Sequence, residues 1–348
     1  MIEKTDIKSM TIEELKGFLV KLGEKPFRAE QIFRWLHEKR INSYEEMTNL
    51  SKGLRKRLEQ ESEWIKLVEI DRLESVDGTI KFLFELEDGQ AIESVLMKYH
   101  HGNSVCISSQ AGCRMGCKFC ASTLGGLVRH LKTSEMLEQI YEIERITGET
   151  VSNVVVMGTG EPMDNYDNFV RFVRILSAKE GKNISVRNIT VSTCGLVEGI
   201  RKLAEEGLPL TLALSLHAPN DTIRKQLMPV ANKYSIEEVL KACDYYYEKT
   251  SRRITYEYSL VKGVNDSTEC AKELVTRLKG KNCHVNLIPV NPIKERDFQK
   301  SKDESIQNFK NILEKNRIPV TIRREMGSDI NAACGQLRRS HTKSSESQ

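Results

Sequence analysis

Four cysteines lie within fifteen residues, in the segment CISSQAGCRMGCKFC. Three of them, Cys113, Cys117 and Cys120, follow the pattern C-x-x-x-C-x-x-C, and Cys106 lies seven residues before the first. Three thiolates suit a 4Fe–4S cluster in which one iron has no protein ligand, and that open iron could hold a substrate or cofactor. A structural zinc site usually takes four ligands in two separated pairs. The spacing favours a cluster and leaves zinc, or a redox pair of Cys117 and Cys120, as alternatives.

The composition indicates a soluble globular protein. The chain has 348 residues, of which 39% are hydrophobic and 29% charged, enough for one large α/β domain and a small accessory one. Its first ten residues lack an apolar core, and no run approaches the roughly 18 apolar residues of a membrane span. We therefore expect a cytoplasmic protein with no membrane association. Nine cysteines in such a chain indicate metal binding or catalysis more than a disulfide framework.

The net charge of +4 does not by itself indicate a nucleic-acid partner. Basic residues are nevertheless clustered at Lys52 and Arg55–Arg57, and again in QLRRSHTK near the end of the chain. Such clusters suit phosphate contacts. From charge alone, a solvated helix face and a polar tail are the simpler explanation.

The order of elements predicts four regions. Residues 1–60 read as helices, with a capping box at Thr11–Glu14, and form a helical accessory domain. Residues 61–98 alternate like strands around two Asp-Gly turns and predict a small antiparallel sheet. Residues 99–325 alternate six strand-like runs with helix-length segments, which predicts an α/β fold, a partial (β/α)6 TIM-like barrel. Residues 326–348 form a loop and a polar tail.

Chemistry in parallel βα barrels lies at the carboxyl ends of the strands. The three cysteines follow the first predicted strand, and the loop GTGEP, with Gly160 and Glu161, follows the second. Further small or polar residues mark the ends of later strands. They are Ser192, the Ser215-Leu216-His217 run, and Asn291. His217 alone is more often a satisfied structural histidine than a ligand. The convergence of such groups beside a thiol cluster predicts a binding site at this rim.

Together these motifs resemble a known family. The cysteine pattern after the first strand of a partial barrel is similar to that of the radical S-adenosylmethionine (SAM) superfamily. The strings SVCISSQAGCRMGCKFCASTLGG, GTGEP, ITVSTCG, LSLHAPN, HVNLIPVNP and DINAACGQLR resemble the dual-specificity RNA methyltransferases that methylate carbon 2 of adenine. The resemblance covers essentially the whole chain. It implies two substrates, an adenosine in the peptidyl-transferase centre of 23S rRNA and the adenosine 3′ of the tRNA anticodon.

The resemblance also implies roles for individual residues. Cys113, Cys117 and Cys120 would ligate one 4Fe–4S cluster. Cys334 would carry the methyl group as S-methylcysteine, Cys106 would later pair with it in a disulfide, and Glu93 would accept a proton. The implied SAM contacts are Gly160, Glu161, Ser192, Ser215, Leu216, His217 and Asn291. The resemblance further implies that the protein uses two SAM molecules per turnover and takes electrons from an external donor such as flavodoxin or ferredoxin. It also implies a monomer.

The chemistry of the substrate fits this expectation. Carbon 2 of adenine is electron-poor and is no nucleophile towards a methyl group, so a radical route through SAM is needed, with the cofactors supplying the difficult step. A methylene on Cys334 would add to carbon 2 and leave a covalent adduct. A second thiolate at Cys106 could then release the product by attack on the sulfur of Cys334. Without the resemblance, Cys334 could equally be an ordinary exposed thiol.

Three rival interpretations stay open from the sequence. The nearest is the carbon-8 branch of the same family, associated with antibiotic resistance, although ASTLGG and GTGEP look like the carbon-2 branch. A more distant one is a zinc-dependent RNA-binding module that uses Cys106 as its fourth ligand. A radical SAM enzyme acting on a small metabolite is the third, and it leaves Cys334 without a task.

Overall fold

The computed structural model describes residues 4–100, 102–291, 297–324 and 326–330. In these residues the helices are α1 (Ile12–Lys21), α2 (Arg28–Phe33), α3 (Lys52–Glu61), α4 (Thr133–Thr147), α5 (Tyr166–Leu176), α6 (Val197–Glu205), α7 (Asp221–Leu227), α8 (Ile236–Thr250), α9 (Thr268–Leu278) and α10 (Asp303–Lys315). The strands are β1 (Val68–Glu74), β2 (Ile80–Glu85), β3 (Ala91–Met97), β4 (Asn103–Cys106), β5 (Gln110–Gly112), β6 (Leu127–His130), β7 (Val151–Val156), β8 (Ile189–Thr193), β9 (Thr211–Ser215), β10 (Ile254–Leu260), β11 (Cys283–Pro289) and β12 (Val320–Ile322). Within the described ranges, no helix combines the length and apolarity needed to cross a membrane.

The main sheet has ten strands in the order β1-β2-β3-β4-β7-β8-β9-β10-β11-β12. From β4 onwards every neighbouring pair is parallel, and helices connect most successive strands. This arrangement confirms the predicted partial βα barrel with six parallel strands. The short β12 adds a seventh parallel strand at the edge, where it pairs with β11.

The antiparallel strands β1, β2 and β3 also form as predicted, but they do not make a separate small sheet. β3 pairs with β4, so that Val95 lies opposite Cys106. An exposed strand edge is an aggregation hazard, and this pairing covers the outer edge of the barrel's first strand. Strands β1, β2 and β3 therefore continue the barrel sheet, and side chains of β3 lie on the same face as their partners on β4.

The two-stranded sheet of β5 and β6 was not predicted. The first barrel strand, β4, ends at Cys106, and Gln110 begins β5. β5 has only three residues and pairs antiparallel with β6, with Gln110 opposite His130. Three residues give too little alternation to be recognised as a strand. This hairpin brackets the cysteine loop.

The amino-terminal helices follow their local sequence signals. The predicted capping box forms: the Glu14 backbone N–H donates to Thr11 Oγ1 at 3.4 Å, and the Thr11 N–H donates to the Glu14 carboxylate at 2.9 Å. Leu15 and Leu19 then face the core. In the following helical segment Ile32 and Leu36 are buried and Trp35 is partly buried.

A buried ion pair joins the amino-terminal helices to the barrel. Lys8 Nζ lies 2.6 Å from Glu138 Oε1 on α4, donates to the Ile65 carbonyl at 2.9 Å and sits 4.4 Å from the Trp64 ring centroid. Both charged side chains are almost inaccessible to solvent. Burial lowers the pKa of Lys8, and the Glu138 carboxylate opposes that shift. Glu138 Oε2 also lies 2.6 Å from Arg145 Nη2, so this carboxylate compensates two cations, and Lys8 depends on it for its ion pair.

Replacing Lys8 with methionine should therefore destabilise the protein by about 1–3 kcal/mol, because it removes a buried charge-assisted hydrogen bond while Glu138 keeps its pair with Arg145. Urea unfolding followed by circular dichroism measures the change. The matched control is Lys16→Met on α1, whose ammonium pairs with Glu13 at 2.6 Å on the solvent-exposed surface. It should cost less than about 1 kcal/mol because water screens the exposed pair. Equal effects of the two substitutions would contradict the structural role given to Lys8.

Candidate active site

The cysteine loop is fixed by backbone and hydroxyl hydrogen bonds. The Cys113 N–H donates to the Gly126 carbonyl at 2.8 Å, at the point where the β5–β6 hairpin opens. Inside the loop, Thr123 Oγ1 donates to the carbonyls of Cys117 at 3.1 Å and Cys120 at 2.9 Å. The loop therefore has a defined shape that places the three cysteines together.

The loop also rests on helix α7 and the turn that follows it. The Lys118 N–H donates to the Leu227 carbonyl at 2.9 Å. Gly116 has a φ of +72°, and a Cβ there would lie 3.3 Å from Pro229 Cγ. A position with a left-handed backbone conformation and so little space beside a proline ring favours glycine. This glycine lets the chain turn between Cys113 and Cys117.

The thiols of this loop are in an environment that suits a metal cluster. Cys113 and Cys117 are buried and Cys120 is partly exposed. Burial raises the pKa of Cys113 to about 12, and it raises the pKa of Cys117 as well, with neighbouring thiols adding to both shifts. A cysteine binds metal as the thiolate, and burial disfavours that negative charge. The positive charge of a bound metal would compensate for this effect. The donor set therefore fits an iron–sulfur group.

No three His, Cys, Asp or Glu side chains converge on one metal ion in the described parts of the chain. In a zinc site the thiolates lie about 2.3 Å from a shared ion. In a cluster each thiolate takes its own iron, so the sulfur atoms are held further apart. In such a cluster Cys113, Cys117 and Cys120 would each bind one iron.

The GTGEP loop after β7 is fastened to the segment between β4 and β5. The Gly158 N–H donates to the Ile107 carbonyl at 3.0 Å, and the Glu161 N–H donates to Gln110 Oε1 at 2.8 Å. Gly160 has a φ of +113°, and a Cβ there would lie 2.8 Å from the Gln110 nitrogen. No side chain fits at that position without moving backbone. The two segments therefore form one surface beside the cysteine loop.

Glu161 lies at the centre of this surface and is buried. One carboxylate oxygen accepts from the Met163 N–H at 3.1 Å and the other from the Cys194 N–H at 2.7 Å, just beyond the end of β8. Burial raises the pKa of Glu161, and these hydrogen bonds oppose the shift. The Thr193 and Cys194 side chains also hydrogen-bond to this carboxylate, whose acceptor oxygens suit a ligand ammonium group.

The residues predicted at the ends of β8 and β9 are brought together. Ser192 Oγ and Ser215 Oγ are 3.4 Å apart, and both side chains are partly exposed. Leu216 is fully buried, and its N–H donates to the Glu257 carbonyl at 3.0 Å. The two hydroxyls are thus accessible to a ligand, and the Leu216 side chain contributes packing.

His217 is buried in an unusual backbone conformation with a φ of +55°. Its Nδ1 accepts from the Ser259 N–H at 2.9 Å, so the ring proton resides on Nε2. Burial, reinforced by the charge of Arg224, lowers the pKa of His217 to about 3, so the ring is neutral at physiological pH. Asn265, which the sequence did not single out, donates to the His217 carbonyl at 2.7 Å. The ring also packs edge-on against Phe119 of the cysteine loop, with centroids 4.7 Å apart.

Two predicted residues lie at or beyond the limits of the description. Asn291 is exposed and follows β11 by two residues, so it lies at the carboxyl end of that strand as predicted. Cys334 lies outside the described residues. The assignments of both therefore stay predictions.

Cys106 and Glu93 face the same side of the sheet. Val95 lies opposite both Cys106 on β4 and Lys81 on β2, and Glu93 is two residues from Val95, so these side chains share a face. Lys81 Nζ lies 3.1 Å from Glu93 Oε2, and both side chains are buried. The sequence did not predict this ion pair, because Lys81 is a single charged residue in a mainly apolar strand.

The strand register continues this face across the barrel. Cys106 pairs with Val155, which pairs with Thr190, two residues before Ser192 on β8. Cys106, Glu93 and the two serines therefore project from one side of the sheet. The outer side is formed by the apolar residues that pack against the helices.

A polar row that the sequence analysis missed lies further along this face. In the strand register Ser215 pairs with Glu257, and Glu257 with Asn286. Asn286 Nδ2 donates to Glu257 Oε2 at 2.8 Å, and burial raises the pKa of Glu257. Single polar residues inside strands give no signal until the register aligns them.

The basic cluster of α3 is only partly available to a partner. Arg55 donates to the Glu45 carbonyl at 2.5 Å, and Arg57 donates to the Leu22 carbonyl at 2.7 Å and pairs with Glu24. Lys52 and Lys56 are exposed. Of the residues expected to contact phosphates, the two lysines are thus better placed than the two arginines.

Comparison with known proteins gives consistent matches along the chain. A family model for the ribosomal RNA large subunit methyltransferase N-terminal domain matches residues 5–63, and the model for the radical SAM superfamily matches residues 107–275. A probable dual-specificity RNA methyltransferase RlmN of Lachnoclostridium phytofermentans is 69% identical over 341 residues, covering 98% of this chain and 96% of the relative. A protein of the same description from Clostridium novyi is 52% identical, covering 97% and 98%.

A solved structure has the same fold over nearly the whole chain. The crystal structure of a radical SAM methyltransferase from Sphaerobacter thermophilus matches with a TM-score of 0.90 and 44% identity, covering 95% of this chain and 98% of that one. Identity at this level over almost the full length is decisive for family membership. The chain belongs to the family of dual-specificity RNA methyltransferases RlmN, within the radical SAM superfamily.

Proposed function

We propose that this protein is a radical SAM methyltransferase that adds a methyl group to carbon 2 of adenine in 23S rRNA and in tRNA. The observation that carries the proposal is the arrangement of the thiols. Three lie together on a braced loop, and a fourth, Cys106, projects from the sheet face that also presents Glu93, Ser192 and Ser215. The family membership agrees with this function, because its relatives are described as dual-specificity RNA methyltransferases.

Cys113, Cys117 and Cys120 would hold a 4Fe–4S cluster. When bound, the cluster and SAM supply the one-electron chemistry that breaks an unactivated C–H bond. The chain's own part is to hold these groups in an environment from which water is largely excluded. Burial of Cys113 and Cys117 and the packing of Phe119 against His217 support that role.

The rim residues would hold SAM. Gly160 leaves backbone space, and Glu161 offers a carboxylate to the amino group of SAM. His217 presents a neutral ring whose Nε2–H can donate, because Nδ1 is already used. Ser192, Ser215 and Asn291 add polar groups, and Leu216 adds apolar packing. We assign two SAM molecules per turnover, one as methyl donor and one as radical source.

Cys334 would carry the methyl group to the RNA, with no geometry assigned to it here. Glu93 would accept the proton that leaves carbon 2, and the buried Lys81 ammonium, 3.1 Å from its carboxylate, holds that carboxylate in position. Cys106 would then attack the sulfur of Cys334, forming a protein disulfide as the carbon–sulfur bond breaks, and the released carbon would take a proton to become the methyl group of the product.

The remaining assignments concern organisation and partners. Residues 1–60 would bind RNA, residues 61–98 extend the sheet, residues 99–325 form the radical SAM barrel, and residues 326–348 carry Cys334. The exposed lysines of α3 support the first assignment. We propose a cytoplasmic monomer that takes electrons from a flavodoxin- or ferredoxin-like donor.

The rival functions have less support. The carbon-8 branch shares the cysteines, but ASTLGG and GTGEP in this chain look like the carbon-2 branch. A zinc module would need Cys106 as a ligand, yet Cys106 lies on β4 and packs with Val95 and Val155 on the sheet face. It would also leave the rim of serines and Glu161 without a function.

Alanine substitution of Cys113, Cys117 or Cys120 should reduce bound iron at least about tenfold and abolish SAM cleavage, because each thiolate holds one iron of the cluster. Iron and sulfide analysis after anaerobic reconstitution measures the first effect. Cys270→Ala, on helix α9 outside the barrel, is the matched control and should keep full iron content. Stoichiometric zinc with no iron or sulfide in the unaltered protein would contradict the proposal.

Glu93→Gln should lower methyl transfer to RNA by about 10²–10⁴-fold, the usual contribution of a positioned general base, and leave SAM cleavage intact. Lys81→Met should lower transfer in the same direction, because it removes the cation beside the carboxylate. Single-turnover assays that record cleavage and transfer separately make the distinction. Glu149→Gln, which breaks an exposed pair with Lys98, is the control and should change neither. Unchanged transfer by Glu93→Gln would remove Glu93 from the reaction.

A further inference from the structure

Arg224 is a buried charge next to the cysteine loop that the proposed reaction does not use. It lies on helix α7, three residues before Leu227, whose carbonyl accepts the Lys118 N–H of the loop. Its side chain is fully inaccessible to solvent. A charged side chain is rarely buried without a compensating partner.

Two of the three nitrogens of the Arg224 guanidinium brace the ends of the barrel strands. Nη2 donates to the Cys194 carbonyl at 2.7 Å, and Nε donates to the Leu216 carbonyl at 3.3 Å. These carbonyls follow β8 and β9. The Cys194 N–H also bonds to Glu161, and Leu216 lies between Ser215 and His217. Arg224 therefore holds together two segments of the rim.

These hydrogen bonds do not neutralise the charge. Nη1 is buried and has no hydrogen-bond partner among the described residues. Within those residues no carboxylate forms an ion pair with Arg224. Asp221, on the same helix, interacts with it electrostatically but accepts the Ile236 N–H at 2.7 Å. The guanidinium thus keeps a net positive charge in the interior.

That positive charge lies beside the thiols of the site. The guanidinium bonds to the Cys194 carbonyl at 2.7 Å, and the helix that carries it accepts the N–H of Lys118, the residue next to Cys117, at 2.9 Å. A cluster held by three thiolates is anionic, and it gains another negative charge on one-electron reduction. A nearby buried cation stabilises the more negative state, because charges interact strongly in a low-dielectric interior.

We propose that Arg224 is a positioning residue that stabilises the reduced form of the cluster and so raises its reduction potential. The inference rests on the proposed function, because it requires a 4Fe–4S cluster on Cys113, Cys117 and Cys120. It assigns to Arg224 two tasks: its hydrogen bonds hold the strand ends, and its charge makes one-electron reduction easier.

The test is a redox titration of the reconstituted cluster without SAM, monitored by electron paramagnetic resonance. In Arg224→Met and Arg224→Gln, the equilibrium constant for one-electron reduction should fall at least tenfold, which corresponds to about 59 mV towards more negative potential. Arg224→Lys keeps the charge and should stay within threefold of the unaltered protein. A residue with only a structural role would not separate the lysine variant from the neutral ones.

A second pair of variants keeps Arg224 in place, in case the neutral substitutions prevent folding. Cys243, buried on α8, interacts electrostatically with Arg224. Cys243→Asp introduces a carboxylate beside the guanidinium and should also lower the equilibrium constant, whereas Cys243→Ser, of similar size and uncharged, should not. Equal potentials in all folded variants would overturn the inference. If the unaltered protein assembles no 4Fe–4S cluster, the proposed function fails first and the inference falls with it.

Discussion

The active site depends on how the cysteine loop is held between two supports. On one side the β5–β6 hairpin accepts the Cys113 N–H through the Gly126 carbonyl, and on the other the Lys118 N–H bonds to the end of helix α7. Both contacts involve backbone groups, so the loop keeps its shape whichever side chains surround it. Between the supports Cys113 and Cys117 are buried, and burial raises the pKa of both thiols. A site of this kind favours a bound group that supplies positive charge to the sulfur atoms.

The same supports connect the loop to the rim. Helix α7 carries Arg224, which bonds to the carbonyls after β8 and β9, and Phe119 of the loop packs on His217. The GTGEP loop is fastened to the segment between β4 and β5, just before the first cysteine. The residues proposed to hold SAM and those proposed to hold the cluster therefore belong to one hydrogen-bonded unit. Such preorganisation reduces the cost of placing reacting groups.

The sequence predicted the elements that have strong local or repeating signals. The alternation of apolar strands and amphipathic segments predicted the partial barrel, and a capping box predicted the start of α1. The cysteine spacing predicted the three-thiol loop. It did not predict the β5–β6 hairpin, because β5 is only three residues long. Nor did it predict Lys81, Arg224 or Asn265, since the importance of each comes from contacts between segments distant in the chain.

The central claim is that this protein directs a methyl group to carbon 2 of adenine in RNA. The most direct measurement uses anaerobically reconstituted protein with SAM, a reductant and a 23S rRNA fragment that contains the peptidyl-transferase loop. The RNA is then digested and its nucleosides are compared by mass spectrometry with 2-methyladenosine and 8-methyladenosine standards. The account predicts 2-methyladenosine. A product that matches 8-methyladenosine, or RNA that stays unmethylated while SAM is cleaved, would contradict it.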